Sequence, residues 1–396
     1  MSDHSGHDHH GPASSGHGGT HQMTMHADVT RPQIAAVAVL TTLALVAAII
    51  WSAGYANLSI GADDVEGVVM PPGMIMTRDM PAAAMRDMAA VDPDEVEYTA
   101  PREARGDQPL APQIEDGVKV FDLEASVIEW YILPDVRVMA YAINRQVPGP
   151  RIRVTEGDHV RIHLTNHLPE STTVHWHGLI LPNGMDGPAG ITQDPIEPGQ
   201  TFTYEFTTQQ AGTYFYHTHD HVDRQQALGL YGALIIDPKD PAVDAAYGYN
   251  HELVIQLQEL LERDGYTYPA MPMDGALPNY FTINGKAYPA TETLQMKVGE
   301  KVRVRFIGTN AAFIHPMHIH GGPFEIVAID GEPVPEGARQ RQDTVNVGPG
   351  QRYDVIWEAR EPGKWLLHCH ISHHTTNNNV EEEGGGGLML ILEVAE

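Results

Sequence analysis

The chain repeats itself, and the repeat constrains its fold more than any other feature. The stretch INRQVPGPRIRVTEGDHVRIHLTN, starting at Ile143, returns as INGKAYPATETLQMKVGEKVRVRFIGTN, starting at Ile283. Each copy runs into a histidine cluster, HWHG from His175 and HPMHIHG from His315. Further on, PGQTFTYEFTTQQAGTYFYHTH from Pro198 matches PGQRYDVIWEAREPGKWLLHCH from Pro349. In both, the closing histidine pair begins nineteen residues after the proline. Two homologous units follow, 117–240 and 241–396. Apolar and polar residues alternate within them between Gly/Pro turns, the period of half-buried strands. With 38 glycines and 29 prolines the chain suits a β-rich protein. The expected fold class is all-β: two Greek-key β-sandwich domains. The net charge of −28 argues against nucleic-acid binding.

The first 116 residues are of another kind. Residues 1–30 begin with MSDHSGHDHHGPASSGHGGTHQMTMH, which holds seven histidines and no lysine or arginine. Such a tract cannot bury a core and reads as a disordered metal-binding tail, with an expression tag as the alternative. In 31–56, IAAVAVLTTLALVAAIIW carries no charge and is long enough to cross a bilayer. It is expected to be one transmembrane helix; a signal segment is the competing reading. Arg31 before it and Asp63, Asp64 and Glu66 after it put the body outside the cytoplasm, in the periplasm or at the cell surface. Residues 57–116 read as a linker. It packs Met70, Met74, Met76, Met80, Met85 and Met88 into nineteen positions. Thioethers are soft ligands for Cu(I); equally, a Met face can pack on the body.

The repeated units carry four His-x-His pairs: His175/His177, His217/His219, His318/His320 and His368/His370. Residues i and i+2 of a strand share a face, so each pair can aim two imidazoles one way. Eight exceed the needs of one mononuclear centre. The only cysteine, Cys369, lies between His368 and His370 and must face the opposite way, toward the core. There His315 and His374 can join it. One thiolate and two imidazoles form the trigonal set of a blue-copper electron-transfer site. The equivalent positions of the first unit are Thr172, Thr218 and Asp223, so no such site is expected there.

HWHG, HTH, HPMHIHG and HCHISHH, in this order over the last 280 residues, resemble the copper motifs of the multicopper oxidases, and most closely the bacterial two-domain small laccases. The resemblance implies cupredoxin-like domains and four coppers per chain. Besides the type 1 site on His315, Cys369 and His374, it implies a type 2 copper on His175 and His318. It also implies a type 3 pair on His177, His217, His219, His320, His368 and His370. The family's axial position falls on Asn379; the loop is longer here, which makes Met389 the axial candidate. The resemblance further implies O2 and a small reducing substrate as partners, and a homotrimer with clusters between subunits. Asp186, nine residues after His177, matches the acid that the family keeps beside the cluster, and Asp343 is a second proton-relay or supporting candidate.

His159, His163, His167 and His251 lack partner motifs and read as surface or satisfied core groups. His221 and His373 adjoin motifs without ligand spacing. Two other functions compete with a phenol or Cu(I) oxidase. One is a membrane-tethered copper-sequestration protein. The other is a copper nitrite reductase, which resembles a scheme with the type 1 site in the first domain.

Overall fold

The computed structural model describes residues 31–56, 68–74 and 82–396. The His-rich tail, and with it Met76 and Met80, lies outside the described residues. The chain divides into two units, 1–56 and 57–396. In the first, the helix Arg31–Ala56 is apolar on all sides. Among the described residues it is the one helix long and apolar enough to cross a membrane.

The second unit holds two β-sandwiches, as the repeat requires. The first domain has a six-stranded and a five-stranded sheet. In the larger, the long strand Val118–Leu133 pairs in parallel with His159–Asn166, which pairs antiparallel with Thr201–Thr207. The smaller runs in the order Pro109–Leu110, Arg151–Thr155, Tyr231–Asp237, Gly212–His217, His175–His177. The second domain repeats this plan. His251–Arg263 pairs in parallel with Lys301–Ile307, which pairs antiparallel with Arg352–Glu358. Its five-stranded sheet runs Thr293–Lys297, Met389–Ala395, Gly363–Cys369, His315–Ile319, Thr344–Val347. In each domain, therefore, the two His-x-His segments sit on neighbouring strands of the smaller sheet. Alternation does the rest: Trp176, Met317, Ile319 and Cys369 are buried while the histidines between them emerge on the other face.

The segment expected as a linker is more ordered than that. Tyr98–Thr99, Pro109–Leu110 and Gln113–Glu115 add short strands to the first domain. The short helix Ala82–Met88 buries Met85 and Met88 with Met74 against Ala276, and Met70, Met271 and Met273 pack around them. Flexible thioethers fill an irregular gap there, so packing is what these methionines do in the fold.

The two sandwiches share a core. Ile128, Trp130 and Val147 of the first meet Leu260, Tyr280 and Ala287 of the second, and Trp130 donates its indole N–H to the Gly285 carbonyl at 2.7 Å. Charge crosses the seam as well. Asp354, 1% exposed, accepts from Thr213 across the seam at 2.7 Å and from Arg305 at 3.0 Å, and it also pairs with Arg303. Asp354→Ala would leave two buried guanidiniums short of their shared partner. Such a loss costs about 3–5 kcal/mol. Denaturant titration of the copper-free protein should show a midpoint lowered to match, with both domains unfolding together.

Candidate metal centres

The first centre lies inside the second domain. Cys369 ends its strand opposite Met317, so its side chain enters the core while His368 and His370 leave on the other face. His315 and His374 join it, and all three are buried. The Nδ1 atoms of His315 and His374 are 3.0 Å apart, and Cys369 Sγ is 3.9 Å from the first and 3.5 Å from the second. His315 Nε2 lies 3.3 Å from a carboxylate oxygen of Glu259, to which it donates, so its Nδ1 is left with a free lone pair. Burial, followed by the neighbouring His315 and His373, holds His374 down to about 3. Burial also pushes the Cys369 thiol up to about 12. The two imidazoles thus aim their Nδ1 atoms at one point beside a buried sulfur, and among the described residues no lysine or arginine pairs with it. A soft metal ion fits that donor set, because its binding deprotonates the thiol.

Two supports come from the facing sheet. Glu259 and Phe281 are register partners on adjacent strands. Glu259 touches His315, and Phe281 stacks on His374 with ring centroids 4.2 Å apart. Sequence reasoning missed both. The available signal was a polar run, Gln256, Gln258 and Glu259, in the otherwise apolar buried middle of a strand, 253–261.

Met389 does not join the trio. Its register partner is His368, so the pleat carries its side chain to the His368 face and away from Cys369. The neighbours that share the Cys369 core are Leu388 and Met317, and the Cys369 N–H donates to the Leu388 carbonyl at 3.0 Å. The expectation for Met389 was a parity error of one residue. Asn379 is engaged elsewhere, accepting from His373 at 2.8 Å.

The paired histidines form two further groups. His175, His177 and His217 bring one nitrogen each within 4.8 Å of one another, and the His219 ring lies 5.5 Å from that of His175. In the second domain, His320 Nε2 is 3.0 Å from His368 Nε2, with the rings of His318 and His370 beside them. Burial first, then mutual repulsion and the Arg352 charge, lowers His177 to about 4. His217, His320 and His368 are lowered too, burial again being the largest cause. Neutral imidazoles are the ligand form.

The two acids found from sequence act on these groups symmetrically, though through their backbones. His175 Nδ1 donates to the Asp186 carbonyl and His318 Nδ1 to the Asp343 carbonyl, each at 2.7 Å. Both rings are thereby fixed with Nε2 free. The Asp186 carboxylate also stands 3.5 Å from His175 Nδ1. Gly187 makes this turn possible. Its φ is +104°, and a Cβ there would lie 2.1 Å from the Val174 carbonyl oxygen.

Among the described residues no ring contact joins a first-domain member of the four pairs to a second-domain one. His219 and His370 are exposed, and His318 and His320 line an open surface groove with Arg341 and Asp343. Each domain therefore presents its own group of four paired histidines.

The first domain replaces the buried trio. Thr172 and Thr218 both donate to Gln225 Oε1 at 2.7 Å, and Gln225 Nε2 donates to the Ser171 carbonyl and to Glu170. The third position is Gln225 rather than Asp223, which is exposed: the helical turn Val222–Gln225 rotates it outward. Among the remaining histidines, His159, His163 and His251 bond to Glu205, Thr203 and Glu300. His167 is exposed. His221 is tied to Asp87 at 3.0 Å.

A paired cupredoxin architecture with one buried His₂Cys set and four His-x-His pairs defines a copper-binding protein of the cupredoxin class. Comparison with known proteins agrees. Sequence models described as multicopper oxidase match residues 124–241 and 266–380, together more than half of the chain. Laccase-1 of Cryptococcus neoformans var. neoformans is 32% identical over 249 residues, covering 56% of this chain and 39% of that protein. Copper resistance protein A of Pseudomonas syringae pv. tomato is 31% identical over 273 residues, covering 56% and 43%. The chain thus spans about two fifths of the length of these relatives. The crystal structure of the blue copper oxidase from Nitrosomonas europaea superposes with a TM-score of 0.63 at 34% identity, covering 70% of this chain and 86% of that one. This chain belongs to the multicopper oxidase family.

Two outcomes follow for the centres. Gly187→Ala should displace the Asp186 carbonyl from His175 and weaken copper retention in that group by about 10- to 100-fold. Chelator competition would measure it. The acid response has a definite sign. His177 and His374 titrate in the fold at about 4 and about 3, below their ordinary 6.5. Below 6.5 the unfolded chain takes up protons that the fold refuses. The copper-free protein should therefore lose stability as pH falls from about 6.5 toward 3, and denaturation midpoints across that range should fall accordingly.

Proposed function

We propose that the chain is a laccase-like oxidase that takes electrons singly from a small reducing substrate, a phenol or Cu(I), and passes four of them to O2 to form water. The observation that carries this reading is Cys369 itself, buried with His315 and His374 yet covalently flanked by His368 and His370. Copper would supply one-electron redox chemistry on His315, Cys369 and His374 and O2 reduction on the eight paired histidines, His175 and His318 holding the type 2 ion and the other six the type 3 pair. Cys369 links the two through a few covalent bonds, so electrons need no mobile carrier. Asp186 and Asp343 keep His175 and His318 oriented through their carbonyls, and their carboxylates stand at the open faces, where protons must arrive.

The half-clusters complete each other in a homotrimer, first domain of one chain against second domain of the next; a ring closes such head-to-tail contacts. The helix Arg31–Ala56 anchors the body on the extracytoplasmic side, with the residues after it outside.

Copper analysis and spectroscopy on the full chain in detergent test the reading. Expected are about four coppers per chain, a blue thiolate band, type 1 and type 2 EPR signals, and a trimeric mass. About two coppers per chain without an EPR-silent pair would sink it. Copper sequestration is the alternative that the likeness to copper resistance protein A favours. Cys369→Ser separates the two: the oxidase loses its blue band and turnover, whereas a sequestering protein keeps its protective effect. Nitrite reduction is disfavoured, since Thr172, Thr218 and Gln225 leave no thiolate in the first domain.

A further inference from the structure

We infer that Glu259 is a positioning residue for the Cys369 centre, which fixes the His315 ring and lowers the reduction potential of the ion held there. The inference rests on the reading above. It stands on four observations. Glu259 and His315 are almost completely buried, at 1% and 0% exposure. The carboxylate Oε2 lies 3.3 Å from His315 Nε2, the nitrogen facing away from Cys369 and His374. The other oxygen, Oε1, accepts the Ala312 N–H at 3.1 Å, tying down the loop that delivers His315. Among the described residues, the only ion-pair partner of Glu259 is His315.

A carboxylate buried without arginine or lysine is unusual. Elsewhere in this protein the rule is kept: Asp354 has two guanidiniums, and Glu252 has Arg153 and Arg305. For Glu259 the one candidate counter-charge is the ion on the far side of the His315 ring. Accepting the Nε2 proton enforces the tautomer with Nδ1 open to metal, and it makes the imidazole a stronger donor. Its charge acts through a dry core, where screening is weak. The oxidised ion carries one more positive charge than the reduced ion, so the carboxylate favours oxidised over reduced. Phe281, the register partner of Glu259, stacks on His374 and supplies no charge. The two ligands are therefore tuned unequally, and electrons enter a centre biased toward weaker oxidising power.

The test is a redox titration of the blue band in the copper-loaded full chain. Glu259→Gln keeps the shape and one accepting oxygen, which can still serve the His315 ring, and removes the charge. It should keep the blue band while the ratio of Cu(II) to Cu(I) affinity falls by about tenfold, a rise of 59 mV for a one-electron couple. Copper bound and blue with the ratio changed by less than about twofold overturns the inference. If the Gln variant fails to hold copper, Glu259→Asp decides, since it draws the same charge back by one methylene. A fall of about threefold is expected there, and an unchanged ratio overturns the inference. A wild-type chain with no blue band at all would instead sink the oxidase reading, before any variant is compared.

Discussion

Everything chemical in this molecule depends on the pleat of one strand. Side chains of successive residues leave a strand on opposite faces, so three residues in a row can serve two environments at once. At 368–370 the middle residue, Cys369, enters a packed core and its neighbours emerge on the outer face. The buried side offers exclusion of water and rigid geometry, both needed by a centre that should change little between oxidation states. The outer side offers access. The same alternation at His175–His177 and His315–Ile319 places Trp176, Met317 and Ile319 beneath the histidines as their apolar footing.

The outer faces are tolerated because the more buried of their imidazoles resist protonation. Four clustered histidines on one patch would repel one another if protonated, but burial and neighbours hold His177, His217, His320 and His368 in the uncharged form. Four of the rings are fixed in orientation by a hydrogen bond on Nδ1. His175 and His318 donate to the carbonyls of Asp186 and Asp343, and His217 and His368 donate to those of Thr218 and Cys369. The lone pairs that remain point outward from two separate patches. Groups ordered in this way need little rearrangement to take up a ligand, which lowers the entropic cost of binding.

The sequence made the periodic features legible. The repeat gave two β-domains, and the His-x-His spacing gave the shared faces. The inward turn of Cys369 followed from its place between two outward histidines, and His315 and His374 followed from Cys369. What escaped is long-range or depends on loop conformation. Glu259 and Phe281 reach the centre from the opposite sheet, Glu259 56 positions before His315 and Phe281 93 before His374. No local spacing reports such a contact. Met389 was displaced from its expected role by a single step of register after an irregular glycine-rich loop. Asp223 gave way to Gln225 because a short helical turn follows His221, whose backbone is left-handed. The methionines at 74, 85 and 88 carried two readings of equal standing until the strand and loop they pack against were in view.

Comparison of the two domains shows how little separates a metal centre from its absence. In the smaller sheets four strands keep one order, Arg151–Thr155, Tyr231–Asp237, Gly212–His217, His175–His177 in the first domain and Thr293–Lys297, Met389–Ala395, Gly363–Cys369, His315–Ile319 in the second. In the second domain three donors converge and leave the position short of positive charge. In the first, two threonine hydroxyls meet the Gln225 amide oxygen, and the amide N–H₂ is taken by the Ser171 carbonyl and Glu170. Every polar atom in that amide has a partner, so the interior is satisfied without an ion. A buried polar position in this fold must be closed by something, and an amide closes it statically. Two imidazoles and a thiol, with a carboxylate behind one of them, close only when a cation is held among them. The asymmetry between the two domains is thus a difference in how one buried cluster of lone pairs is neutralised.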